Sequence, residues 1–306
     1  MMISTLNSTL GFHRAATAQQ AGLRSEAEAL QRQVSTGERL ERPSDDPVAA
    51  ARLRALDRTE RLAQVEETNA LRAREELGAA SDRMADMAST LTRARELAVQ
   101  AANGATSPQG RAAIATEIAS LRETLFSLAN STGSNGEPLF AGQGTGPAYT
   151  RAADGSVTYT GSGAPGELEV GPGIAVQRGI AGPSFLSFDH GGTTSDVFAL
   201  LGTLEQGLRG ATGDPAGAAR DSLPGFDAAI AALGQGQTVV GTRLAWVETV
   251  ETIASQMGEA RAEEATAVGG ADLAASLSRL QQVMTALEAS QASYARLASL
   301  SLFDRI

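Results

Sequence analysis

From residue 56 onward small and apolar side chains return every seven positions. One series is Leu56, Ala63, Ala70, Leu77, Met84, Leu91 and Ala98; a second, three residues out of step, is Ala73, Ala80, Met87, Ala94 and Ala101. Two interleaved series of this kind are the a/d seam of a coiled-coil-like bundle. They predict one helix from Pro47 to about Asn103, about 85 Å long at 1.5 Å per residue. An earlier helix is predicted over 3–36, where Leu23, Leu30 and Gly37 stand seven apart with Ala27 and Val34 between them. Ile114, Ile118, Leu121, Leu125 and Leu128 predict another, ending near Asn130. Towards the C-terminus, Val240, Leu244, Val247, Val250, Ala254 and Met257 mark a helix over about 225–268. Gly234, Gly236 and Gly241 weaken it, each costing about 1 kcal/mol against Ala, so a kink or short break is expected there. A last helix carries Leu273, Leu277, Leu280, Met284, Leu287 and Tyr294, and Leu297, Leu300, Leu302 and Phe303 close the chain.

The punctuation between these segments is equally specific. Residues 35–47 read STGERLERPSDDP. Gly37 supplies a left-handed helix stop, Pro43 and Pro47 push the residues before them out of helical geometry, and Asp46 is placed to cap a helix that starts at Pro47. Ser44, Asp45 and Asp46 could hold a cation, but capping accounts for Asp46 more simply. The stretch therefore encodes a stop, a stiff connector and a restart. Asn103-Gly104 turns the chain, Pro108 restarts it, and Asp196 and Asp272 are further candidate caps. Between 138 and 195 the pattern changes to glycine-rich, β-branched sequence. Asp154-Gly155 lies between β-prone arms, and Gly171-Pro172-Gly173 marks a second hairpin.

The order is helices, a β-rich insert, then helices. The fold class expected is mainly α: a long antiparallel helical bundle or coiled coil made by the N- and C-terminal regions, with a small β-rich inserted domain. Three parts are expected. Residues 1–36 with 271–306 form a terminal helix pair, 37–137 with 196–270 a helical rod, and 138–195 an outer domain. Gly37, Pro43, Ser44, Asp45, Asp46 and Pro47 would connect the first two on one side, and Gly269-Gly270 on the other.

Composition narrows what such a rod can do. Aromatic residues make up 4% of the chain against 42% hydrophobic in all, which suits narrow helix–helix contacts rather than a thick core. The net charge is −10, so a grip on nucleic acid through phosphate neutralisation is not expected. The 306 residues include no Cys, which removes disulfides, thiolate metal sites and cysteine nucleophiles. No basic segment followed by an apolar run opens the chain, and no segment has the length of apolar sequence that membrane insertion needs. The two histidines, His13 and His190, form no HExxH; no GxSxG occurs, and GQGTG at 142–146 lacks the Lys of a phosphate-binding loop. No catalytic constellation, metal site or cofactor is expected, and no enzyme activity.

The apolar seams of the inner helices read as intramolecular core. The ends differ, because a pair of helices from 3–36 and 271–303 has too little chain around it to bury all its apolar faces. Leu6, Leu10, Phe12, Leu297, Leu300, Leu302 and Phe303 are left over, beside the seam residues Leu23, Leu30, Val34, Leu280, Met284, Leu287 and Tyr294. Such patches await a partner. Identical copies meeting head to side would build a ring or helical array.

Several of these stretches match a known family. STGERLERPSDDPVAAA (35–51), ANGATSPQGRAAIATEIASLRETLFSLAN (102–130), GEPLFAG (136–142) and LEASQASYARLASLSLFD (287–304) resemble flagellar hook-associated protein 3, the hook–filament junction family related to flagellin. The resemblance covers about 1–142 and 225–306; the insert aligns with nothing, as befits a variable outer domain. It implies a structural adaptor between hook-associated protein 1 and the flagellin filament, with flagellin itself as the alternative role. It implies export through the flagellar type III apparatus, an extracellular place in the flagellum, and an export chaperone on the C-terminal helix, about 271–303. The terminal helices would form the inner tube and the inner helices the layer around it.

Overall fold

In the computed structural model the backbone is described from Met2 to Phe303, and the side chains at position 11 and over 14–296. The protein is mainly α, as its heptads predict. Helix α1 spans Met2–Thr36, α2 Pro47–Ala102, α3 Pro108–Ala129, α5 Val197–Leu208, α6 Pro215–Gly269 and α7 Leu273–Phe303, with a single turn, α4, at Pro183–Leu186. The chain forms two compact units. One is 1–61 with 257–306; the other is 62–256.

In the second unit the a/d seam of α2 is the spine of the core. Ala70, Ala73, Leu77, Ala80, Met84, Met87, Leu91, Ala94, Ala98 and Ala101 are all buried. Helix α6 runs antiparallel to it, with Arg74 paired to Glu251 at 3.0 Å and Arg95 to Asp227 at 2.7 Å. Each helix start has a chemical cause. Ser107 accepts the Gly110 N–H at 3.1 Å, with Pro108 at the first helical position. Asp196 accepts the Phe198 and Ala199 N–H groups at 2.8 and 2.9 Å.

Helix α6 begins ten residues before the expected start and crosses the expected break. Asp214 accepts the Gly217 N–H at 2.8 Å and Pro215 follows it, so the helix is capped upstream of Pro224. An interior proline costs about 3 kcal/mol. Here it is flanked by the buried Ala219, Ser222, Gly225 and Phe226, and that burial carries the helix through. Gly236 is in the helix for space. A Cβ there would lie 2.6 Å from the Phe185 Cβ and 2.8 Å from the Met84 Cε. A residue that reads as a helix breaker is thus the point of closest approach.

The glycine-rich segment forms three separate antiparallel hairpins. β1 (Tyr149–Arg151) pairs with β2 (Val157–Tyr159) about Gly155, and β3 (Glu167–Gly171) with β4 (Ile174–Gln177) about Gly173, as predicted. The third, β5 (Ser187–His190) with β6 (Thr193–Asp196), was not expected; its turn is Gly191-Gly192, both at positive φ. Two-stranded hairpins bury little by themselves. These contribute Tyr149, Val170, Val176 and Phe188, the loop before β1 contributes Phe140 and α4 contributes Phe185, all to the same core as α2, α3, α5 and α6. Glu76, itself buried, pairs with Arg72 of the same helix at 2.9 Å and with Arg178 at 2.8 Å, and accepts the Asn135 side-chain N–H at 3.2 Å, which fastens the loop before β1 and the end of β4 to α2.

Candidate assembly surface

In the first unit the terminal helices lie antiparallel. Arg279 of α7 pairs with Glu26 of α1 at 2.8 Å, and Ala16 and Gln19 share an open groove with Ala286, Ser290 and Tyr294. The facing residues are 16, 20, 23, 27, 30 and 34 on α1 and 276, 280, 283, 287, 290 and 294 on α7, the same 4-3-4-3-4 spacing on both. Of these only Ala27, Ser276 and Val283 are buried. Leu23, Leu30, Val34, Leu280, Leu287 and Tyr294 lie along this seam, and each stays half-buried, because among the described residues two helices face each other with no third closing over them.

Met284 belongs elsewhere. It is 47% exposed, with Leu273 at 48% and Leu277 at 45%. At 100° per residue these three fall within about 40° of one another, a second apolar stripe outside the seam. Val283 takes the inward place; sequence reasoning missed it because Met284 fits the 273-277-280 series equally well. Leu6, Leu10, Phe12, Leu297, Leu300, Leu302 and Phe303 lie outside the described side chains.

The connector is a clasp. Gly37 adopts φ +72° and ends α1. The Arg39 N–H then donates to the Gly269 carbonyl at 2.8 Å, and the Ala271 N–H donates to the Gly37 carbonyl at 2.8 Å. The two breaks, expected on opposite sides of the pair, are therefore hydrogen-bonded to each other. Arg39 also donates to the Val268 carbonyl at 2.9 Å and pairs with Asp46 at 3.3 Å. Asp46 accepts the Ala49 N–H at 3.0 Å, which with Arg39 holds its carboxyl below the ordinary value. Asp45 accepts the Arg42 N–H at 2.8 Å, closing the turn that carries the exposed Pro43 and Ser44. Arg32 grips Glu41 through two hydrogen bonds, at 2.8 and 3.0 Å. Below the clasp, Arg52–Glu264 and Arg261–Glu60 pairs bind α2 to α6. Asp45 and Asp46 thus serve backbone N–H groups, and Asp46 the Arg39 side chain as well, and among the described residues no group of three His, Cys, Asp or Glu could hold a metal. No described helix is long and apolar enough to cross a membrane.

Residues 3–145 match the bacterial flagellin N-terminal helical region. Flagellar hook-associated protein 3 of Escherichia coli K12 is 26% identical over 290 residues, spanning 89% of this chain and 90% of that protein. The chain is similar to flagellar hook-associated protein 3 over most of its length. Solved structures share the fold. A flagellar hook-associated protein from Vibrio parahaemolyticus, described as putative, superposes with a TM-score of 0.67 at 20% identity, covering 73% of this chain and 99% of that one. The flagellar junction protein of Legionella pneumophila does so at 0.60 and 14% identity, covering 71% and 99%. The resemblance read from the STGERLERPSDDP, LFAG and SLFD stretches is thus the resemblance of the chain nearly end to end.

Proposed function

We propose that this protein is a structural subunit of the bacterial flagellum, placed at the junction between hook and filament, where it links hook-associated protein 1 to flagellin. The observation that carries the reading is the similarity to hook-associated protein 3 over 89% of the chain. The under-buried terminal pair supplies the physical mechanism. Residues 1–36 and 271–306 meet neighbouring copies and form the inner tube, 37–137 with 196–270 surround it, and 138–195 faces outward. Leu23, Leu30, Val34, Leu280, Met284, Leu287 and Tyr294 complete their burial in that assembly, together with Leu6, Leu10, Phe12, Leu297, Leu300, Leu302 and Phe303. Before assembly the same apolar face of α7 is masked by an export chaperone, and the chain leaves the cell through the flagellar type III apparatus. It catalyses nothing.

A strain lacking the protein is the test. Hooks without filaments, and flagellin monomers in the medium, are the expected outcome. Loss of the bulk filament subunit itself would assign the chain to flagellin, and intact filaments would reject both roles.

A further inference from the structure

We infer that the outer face of α6 in the second unit docks against the outer face of α3 in a neighbouring copy of this chain. Val239, Trp246 and Ile253 stand seven residues apart on α6 and are 41%, 47% and 47% exposed. Trp246 is the chain's one tryptophan. Among the exposed positions from Ala231 to Gln256 the sole charged residue is Glu248. Helix α2 shows the contrast, exposing Asp57, Arg58, Arg61, Glu67, Arg74 and Glu75 within twenty residues. The threonines of the α6 face are less polar than they read. Thr238, Thr242, Thr249 and Thr252 each donate their hydroxyl to the helix's own carbonyls, of Gly234, Thr238, Ala245 and Glu248, at 2.8–2.9 Å. With the donors satisfied internally, what they offer a partner is largely methyl surface. Depletion of charge about an exposed aromatic is the mark of an interface centre.

The occupant follows from what this chain offers. Helix α3 exposes Ala112, Ala113, Thr116, Ser120 and Thr124, all small and uncharged. Its hydroxyls fold back too: Thr116 onto the Ala112 carbonyl, Ser120 onto Thr116 and Thr124 onto Ser120, at 3.0–3.2 Å. Of the carboxylates on this helix, the exposed Glu123 is held by Arg151 at 2.8 Å and the half-buried Glu117 by Arg93 at 2.7 Å. Large side chains on α6 and small ones on α3 are complementary in size, and neither face carries a cluster of charge to desolvate. Because the two faces differ, the contact is heterologous and repeats from copy to copy. Area agrees with a repeating neighbour rather than a separate tight partner. A contact as long as α3, about 33 Å, and about 10 Å wide buries about 660 Å² in total, below the ~1,200 Å² of a stable pair. Such a contact forms between free chains only at high concentration, where a crosslinker traps it, and persists when other contacts repeat it around an assembly.

The inference rests on the assembly reading only for the presence of neighbouring copies. Since the chain has no Cys, introduced thiols report contacts unambiguously. Full-length Ser120→Cys and Thr249→Cys chains are purified, mixed at high concentration and treated with a short flexible bismaleimide. The expected result is a crosslinked heterodimer at least tenfold above the dimer formed by either variant alone, reduced at least tenfold by adding Trp246→Glu to the Thr249→Cys chain. No heterodimer, equal dimer from Thr249→Cys alone, or indifference to Trp246→Glu overturns the contact. The same variants in cells separate the two readings. Protein found in sheared flagella without the crosslink rejects this contact and leaves the flagellar role. The crosslink with protein absent from flagella does the reverse.

Discussion

The two units use the same heptad grammar to opposite ends. In 62–256 the seam of α2 meets α6 and the hairpins, and Phe140, Phe185, Phe198, Phe226, Leu77 and Met84 are sealed from solvent. In the terminal pair, equally regular spacing leaves Leu23, Leu30, Leu280 and Leu287 half-open and Leu273, Leu277 and Met284 outside. Periodicity reports which face of a helix is apolar, not whether the molecule itself covers that face. The number of elements packed against it decides that, and among the described residues α1 packs chiefly on α7.

The comparison breaks most severely if the core of the second unit can be emptied without cost. Phe226→Ala removes a ring sealed between α6 and its neighbours and should lower unfolding free energy by about 3–5 kcal/mol, read by urea denaturation. Gly236→Leu tests the close approach rather than the volume. Overpacking against Phe185 and Met84 should cost about 1–3 kcal/mol by the same measurement, with Gly236→Ala milder. Asp196→Ala, which removes the cap of α5 without touching the core, should cost about 1 kcal/mol.

In the first unit the same kinds of change should register in assembly instead. Truncation of 1–36 and 271–306 should leave a folded monomer that joins nothing; a truncated chain that still connects hook and filament would remove the ends from the mechanism. The clasp should respond to acid. Asp46 has its carboxyl held below the ordinary value, so its contribution is present above about pH 4. That contribution is lost as pH falls through the lowered value. The protection of the Ala49 amide, measured against its intrinsic exchange rate at each pH, should therefore fall on acidification below about pH 4, and Asp46→Asn should flatten that dependence. The smallest effect on monomer stability is expected from Pro43→Ala with Pro47→Ala, since both side chains are exposed; loss of motility, scored in soft agar, should exceed any change in melting.

Much of this architecture was legible in the sequence because it rests on local chemistry. The caps at Asp46, Asp196 and Asp272, the stop at Gly37 and the turns at Gly155 and Gly173 all need one or two residues in fixed positions. What escaped were features set by distant partners. Gly236 was read as weakness because nothing nearby in sequence reveals Phe185 against it. The start of α6, expected near 225, lies ten residues upstream, since the burial that carries the helix through Pro224 comes from the rest of the core. Val283 lost to Met284 because heptads one residue apart cannot be ranked until the facing helix is known. The clasp between Arg39 and Gly269 joins residues 230 positions apart, and only the antiparallel fold brings them together.

Hydrogen–deuterium exchange of the full-length chain, free and in isolated flagella, tests the central claim most directly. The account predicts that backbone amides of 16–36 and 273–296 in the free protein exchange at least a hundredfold faster than those of α2 between Leu77 and Ala98, and gain protection on assembly. Equal protection of both regions in the free protein, unchanged by assembly, would contradict it.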